Sequence, residues 1–262
     1  MSGFTADWLA LRADADRRAR NARVAARLAQ AVAGQGGVAV VDLGSGTGAN
    51  LAATAPHLPR PQRWRLVDHD GDLLAEARAP EGVTVEPVVA DLGAGVAPLL
   101  HPGPQLVTAS AFFDLVGAAW LDAFVGAAAA AGTVVHAVLT YDGRQDWAGA
   151  HPLDGAVLAA FNAHQRQDKG LGPALGPLAH SALADRLRAA GFGVTEGASD
   201  WRLEAPRDAA LIAALAEGTG AALASLLGAG ARDWAAARAR AGAVTIGHRD
   251  LVALPPGAAA PQ

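Results

Sequence analysis

A short apolar run closed by alternating glycines constrains this chain more than any other feature. Val38-Ala-Val-Val-Asp-Leu43 is almost purely apolar, and Gly44-Ser-Gly46-Thr-Gly48 follows it directly. A run of that length without polar alternation marks a central parallel strand covered on both faces. Three alternate glycines let the backbone turn tightly and pass close to a ligand with no Cβ in the way. An apolar helical stretch near Asn50–His57 comes next, and the amides of its first turn are free to meet a negative group. Strand, glycine turn and helix together predict a ligand-binding edge of an α/β sheet.

The rest of the chain repeats this rhythm. Trp64-Arg-Leu-Val67 ends in Asp68, and Asp72–Ala79 patterns as helix. Val83–Val89 is a third strand ending at Asp91. Gln105–Ala109 is a fourth, running into Ser110-Ala-Phe-Phe-Asp114. Trp120–Ala130 is helical, and Thr133–Thr140 is a fifth strand closed by Tyr141-Asp-Gly143. Then come a helix over Leu178–Ala190, a strand over Gly193–Leu203, helical pattern over 207–241 and a last strand, Val244–Leu254. Alternation of this kind specifies an α/β, doubly wound, mostly parallel sheet with helices on both faces. Residues 4–33 precede it as one amphipathic helix. The 262 residues suffice for one large domain with an ample core.

Composition narrows the function. The net charge of −4, with no basic stripe, argues against nucleic acid as the main partner. There is no cysteine, so disulfides, thiolate metal sites and cysteine nucleophiles are excluded. No His/Asp/Glu grouping has metal-site spacing, and no metal is expected. Ser110 lacks a nucleophile-elbow context. Arg12, Arg17, Arg18 and Arg20 alternate with acids and lead into no apolar core, unlike a signal peptide. No apolar run reaches membrane-spanning length. The expectation is a cytoplasmic protein with no membrane partner.

The glycine turn also separates ligand classes. The dinucleotide fingerprint places its last glycine one residue further on, where this chain has Ala49, so a pyrophosphate cradle is the poorer match. Asp42-Leu-Gly-Ser-Gly-Thr-Gly48 resembles motif I of the class I, Rossmann-like S-adenosylmethionine (SAM) methyltransferases. Asp68, Asp91-Leu92 and Ser110-Ala111 fall where that family places its ribose, adenine and methionine contacts. The resemblance covers residues 36–142 best. It implies a seven-stranded sheet of order 3-2-1-4-5-7-6 with the last strand antiparallel. It implies SAM as cofactor, held by Asp42, Gly44, Ser45, Gly46, Gly48, Asn50, Asp68, His69, Asp91, Leu92, Ser110 and Ala111. The domain expectation is a helical cap over 1–35, a methyltransferase domain over 36–254 and a disordered tail over 255–262. Residues 144–180 would form a flap and 207–241 a helical insertion.

The acceptor side is read from the flap. On a helix from Leu153 to Gln167, Asn162, Gln165, Arg166 and Lys169 line one face. His164 and Asp168 are four apart, so the carboxylate would orient the imidazole and raise its basicity. Lys169 is the one lysine among 21 basic residues, and Tyr141 is the one tyrosine. The expected catalytic set is His164, Asp168 and Tyr141. The expected acceptor contacts are Arg12, Asp142, Asn162, Arg166 and Lys169, with Trp8 beside Arg12 closing the far side. The same flap residues read equally as a solvated polar face. The Asn-Pro-Pro-Tyr type motif of base and glutamine methylation is missing, which favours a small polar molecule as acceptor. A silent SAM-binding partner protein and an NAD-type oxidoreductase stand as alternatives; oligomeric state is left open.

Overall fold

The structure, a computed structural model, describes residues 5–257. Two helices, α1 (Ala6–Ala19) and α2 (Ala22–Val32), lead into β1 (Val38–Leu43), α3 (Ala49–Thr54) and β2 (Gln62–Asp68). There follow α4 (Gly71–Glu76), β3 (Val83–Val89), β4 (Leu106–Ser110), α5 (Ala118–Ala131), β5 (Val134–Trp147), α6 (Asp154–Gln165) and α7 (Ala179–Ala189). The last part comprises β6 (Gly193–Ala198), β7 (Trp201–Glu204), α8 (Ala209–Ala222), α9 (Ala224–Leu227), α10 (Ala229–Arg238) and β8 (Ala243–Leu254). The sheet order is β3-β2-β1-β4-β5-β8-β6, with β7 also paired to β8. Strands β1 to β5 are mutually parallel, and β8 runs antiparallel to β5. With β6 and β7 counted as one broken strand, this is the expected order.

Three elements differ from the sequence reading, each for a local reason. The N-terminal helix is two helices. Asn21 breaks it by capping α2: its side-chain oxygen accepts from Val24 N at 3.1 Å. The Asn21 backbone N–H meanwhile donates to buried Asp250 at 2.8 Å. Strand β5 does not close at Tyr141-Asp-Gly143 but continues to Trp147. Two register shifts against long β8 absorb the turn-like residues, with Gly143 at a φ of 90°. Gly193–Leu203 splits at Ser199-Asp200, because β6 pairs with 249–254 of β8 and β7 with 243–246. His248 lies in the gap: its C=O accepts from Ser199 N, and its N–H donates to Asp200. Of the expected disordered tail, residues 258–262 lie outside the described residues. No helix among the described residues is long and apolar enough to cross a membrane.

Asn21→Ala is expected to cost about 1–2 kcal/mol, since it removes a helix cap and a bond to the Ala198 carbonyl. Urea unfolding with an unchanged slope is the measurement.

One core cluster bears directly on the ligand edge. Phe112, Phe113, Trp120 and Phe124 pack between α5 and the sheet, with Trp120 stacked on Phe124 at 5.6 Å. Trp120 Nε1 donates to the Leu92 carbonyl at 2.8 Å, which fixes the corner after β3. Phe112 lies so close to Gly44 that a Cβ there would sit 2.7 Å from its ring. The aromatic core therefore shapes the glycine turn.

Candidate active site

The glycine turn is built as its spacing requires. Gly44, Gly46 and Gly48 have φ of 62°, 50° and 83°, a left-handed region that other residues rarely enter. Below the turn, buried Asp42 accepts from Asn50 Nδ2 at 2.7 Å. Burial pushes the Asp42 carboxyl up to about 7, against the opposing effect of that bond. Asn50 also reaches Thr108 at 3.1 Å, so β1, α3 and β4 are tied together beneath the turn. Asp68 at the end of β2 accepts from Gly46 N at 2.8 Å and from Asp70 N at 3.1 Å. His69 Nδ1 is 3.0 Å from the same carboxylate.

These residues enclose a groove in two halves. One, about 150 Å³, is lined by Gly44, Ser45, Gly46, Asn50, Asp68, His69, Ser110 and Ala111, with Arg12 and Asp16 of α1 on its outer side. The other, about 120 Å³, takes in Gly44, Asp68, His69, Asp91, Leu92, Ala111 and Lys169. Asp91 accepts from Gly93 N at 2.8 Å and so caps its own turn. Ser45 Oγ is buried in the first half with no partner among the described residues. Each Asp68 oxygen keeps a lone pair beyond the backbone bond it accepts. A nucleoside with a hydroxylated sugar and a short charged tail fits this arrangement.

A third cavity, about 140 Å³, opens beside the groove. Trp8, Tyr141, Trp147, Phe161 and Trp201 supply its apolar faces, and Arg12, Asp114, Gln145 and His248 its polar groups. Ala111 lines all three spaces. It is one of only two non-glycine residues with positive φ among the described residues; the other, Leu139, lines the third cavity. Strained backbone thus lies at the junction of groove and cavity, at Ala111, and on the cavity wall, at Leu139.

A scan of family models and a search of curated proteins both return no match. Solved structures do match. A cyclopropane synthase from Mycobacterium tuberculosis superposes with a TM-score of 0.56 at 11% identity, over 96% of this chain and 94% of that one. A cyclopropane-fatty-acyl-phospholipid synthase-like protein from Lactobacillus casei gives 0.53 at 17% identity, over 95% and 94%. A SAM-dependent methyltransferase from Geobacter sulfurreducens, in complex with S-adenosyl-L-homocysteine, gives 0.50 at 14% identity, over 98% and 100%. The chain has the SAM-dependent methyltransferase fold.

Within that methyltransferase fold the expected acceptor residues part company. His164 and Asp168 are not joined. Helix α6 ends at Gln165, so the four-residue spacing no longer stacks them, and Asp168 instead accepts from Gly170 N at 2.7 Å. His164 Nδ1 is buried without a partner; partial burial, then the charge of Lys169, pushes its pKa down rather than up. Asp142 pairs with Arg144 at 2.6 Å, and Arg144 also bonds Asp200, so this carboxylate is committed elsewhere. Arg166 is exposed, and Lys169 lines the groove rather than the third cavity. Asn162 accepts the Tyr141 hydroxyl proton at 2.8 Å and donates to the Gly143 carbonyl. Of the expected set, Arg12 and Tyr141 line the cavity, as does Trp8 beside Arg12.

Sequence reasoning missed Asp114, Gln145, Trp201 and His248 as cavity residues. His248 Nδ1 lies 3.1 Å from the Ile246 carbonyl, so in the neutral ring it carries the proton. Burial, then Arg12, pushes its pKa down to about 3. A signal for both groups did exist: Asp114 follows two phenylalanines, and His248-Arg-Asp250 interrupts an apolar strand.

Burial also raises the Tyr141 pKa, so at neutral pH this hydroxyl is a donor that holds α6 to β5. Tyr141→Phe is expected to cost about 0.5–1.5 kcal/mol. It should also hasten proteolysis within 148–175, read as peptide release over time.

Proposed function

We propose that the chain is a SAM-dependent methyltransferase acting on a small molecule bound in the aromatic cavity. The convergence of groove and cavity at Ala111 carries this reading: a methyl donor and an acceptor bound in the two would meet there. The cofactor-binding set is Asp42, Gly44, Ser45, Gly46, Gly48, Asn50, Asp68, His69, Asp91, Leu92, Ser110 and Ala111. Bound SAM supplies an already activated methyl group, so positioning accounts for most of the rate. Asp68 orients the sugar, the glycine turn admits the tail, and α1 covers both through Arg12. Residues 36–254 act as the methyltransferase domain, 1–35 as its cap, the stretch after β5 up to residue 180 as a lid and 207–241 as an insertion. Tyr141 positions the lid.

One of the compared structures is a cyclopropane synthase and another a cyclopropane-fatty-acyl-phospholipid synthase-like protein. The cavity here, about 140 Å³, suits one six-membered ring better than an acyl chain. Its lining also amends the expectation of a simply polar acceptor: the molecule has a flat apolar body and one polar group. Calorimetry against SAM and NAD tests the cofactor, and tight NAD binding without SAM binding would sink the reading. A metabolite screen with isotopically labelled methyl-SAM, read by mass spectrometry, tests turnover. Binding without any labelled product would leave a SAM-binding protein rather than an enzyme.

A further inference from the structure

The charges that face the aromatic cavity do not balance. Arg12 is neutralised by a two-pronged pair with Asp16, at 2.9 and 3.1 Å, and its guanidinium lies 4.9 Å over Trp201. His248 is neutral, and Tyr141 keeps its proton. Lys169 lies on the groove side; it and Arg12 act on Asp114 by charge from a distance, but neither pairs with it. Asp114 remains. It is nine-tenths buried, forms no ion pair among the described residues, and its Oδ1 has no hydrogen-bond partner. A buried carboxylate left in this state is costly, and such groups are ordinarily paired or bonded. The cavity that Asp114 lines also presents Trp8, Tyr141, Trp147, Phe161 and Trp201, whose ring faces attract cations.

We propose that the cavity binds a small ammonium compound, with Asp114 as its counter-ion and the surrounding aromatic rings holding its organic body. This rests on the methyltransferase reading and names the class of acceptor. Arg166 and Lys169, expected as acceptor contacts, do not line the cavity. An ammonium nitrogen has no lone pair until it sheds a proton. In that step an N–H bond breaks, the electron pair stays on nitrogen, and the proton passes to an Asp114 oxygen, giving a neutral amine and a carboxylic acid. Burial pushes Asp114 up to about 6, which narrows the gap between the two groups.

The test uses three probes of one shape: benzylamine, benzyl alcohol and benzoate, titrated calorimetrically with and without S-adenosylhomocysteine. The expected result is at least tenfold tighter binding of benzylamine than of benzyl alcohol, with benzoate weakest. Asp114→Asn should erase that preference while leaving benzyl alcohol and S-adenosylhomocysteine affinities unchanged. Benzoate binding as tightly as benzylamine would overturn the proposal, as would no benzylamine binding or a preference that survives Asp114→Asn. A variant that loses SAM affinity but keeps S-adenosylhomocysteine would also overturn it, by assigning the carboxylate to the cofactor sulfonium. Failure of S-adenosylhomocysteine to bind at all would instead strike the methyltransferase reading, since the ranking of the probes is measured without it as well.

Discussion

Asp68→Ala is expected to weaken SAM binding by about 10²- to 10⁴-fold, the largest loss from any single side chain in the groove. Charge-assisted hydrogen bonds to sugar hydroxyls contribute about 1.5–3 kcal/mol each, and two are lost together. The structure adds a second route to the same loss. Asp68 already accepts from Gly46 N at 2.8 Å, so alanine frees the glycine turn as well as removing the sugar contact. Asp68→Asn separates the two routes. Its side-chain oxygen still accepts from Gly46, the turn stays in place, and the charge alone is lost, for a deficit nearer tenfold. Calorimetric titration with SAM distinguishes the variants. Wild-type affinity in Asp68→Ala would remove Asp68 from the site.

What was legible in the sequence depended on how local its cause was. Strand β1 ends at the residues its apolar run indicates, because a strand covered on both faces writes its burial into nearly every position; β3 also has the expected ends, but as an edge strand with no fully buried residue. The left-handed glycines were legible for a similar reason, since few residues other than glycine sit comfortably at those φ values. The aromatic cavity was not. Its residues come from α1, the segment after β4, β5, α6, β7, α8 and β8, and no local pattern links Trp8 to Thr219 or His248. The flap misled by looking helical through Gln167. Its i, i+4 relation between His164 and Asp168 vanished when α6 stopped two residues early and Asp168 turned to its own loop. The break at Asn21 combines a local cap on Val24 N with a bond to Asp250, more than two hundred residues away, and only the first lies within a short window.

Arg12→Ala is expected to destabilise the docked N-terminal helix by about 3–5 kcal/mol, because it strips the partner from a buried carboxylate. Asp16 would keep a single donor, Trp201 Nε1 at 3.0 Å, and Trp201 would lose the guanidinium above its ring. The protein has an escape: α1 can lift away and return Asp16 to water, so the loss registers as local opening rather than as global unfolding. That escape lets α1 unwind around the already exposed Arg17 and Arg18, so trypsin can cut there, and uncovers groove and cavity together, since Arg12 lines both. Faster tryptic nicking at those two arginines, with weaker SAM binding and a nearly unchanged main unfolding transition, is the expected pattern. The decisive comparison is the pair Arg12→Ala with Asp16→Ala. Removing both partners leaves no stranded charge, so the double variant should resist trypsin better than Arg12→Ala alone. Equal nicking in the single and double variants would show that α1 is held by other contacts, with Leu9 over Gly46 the first to consider.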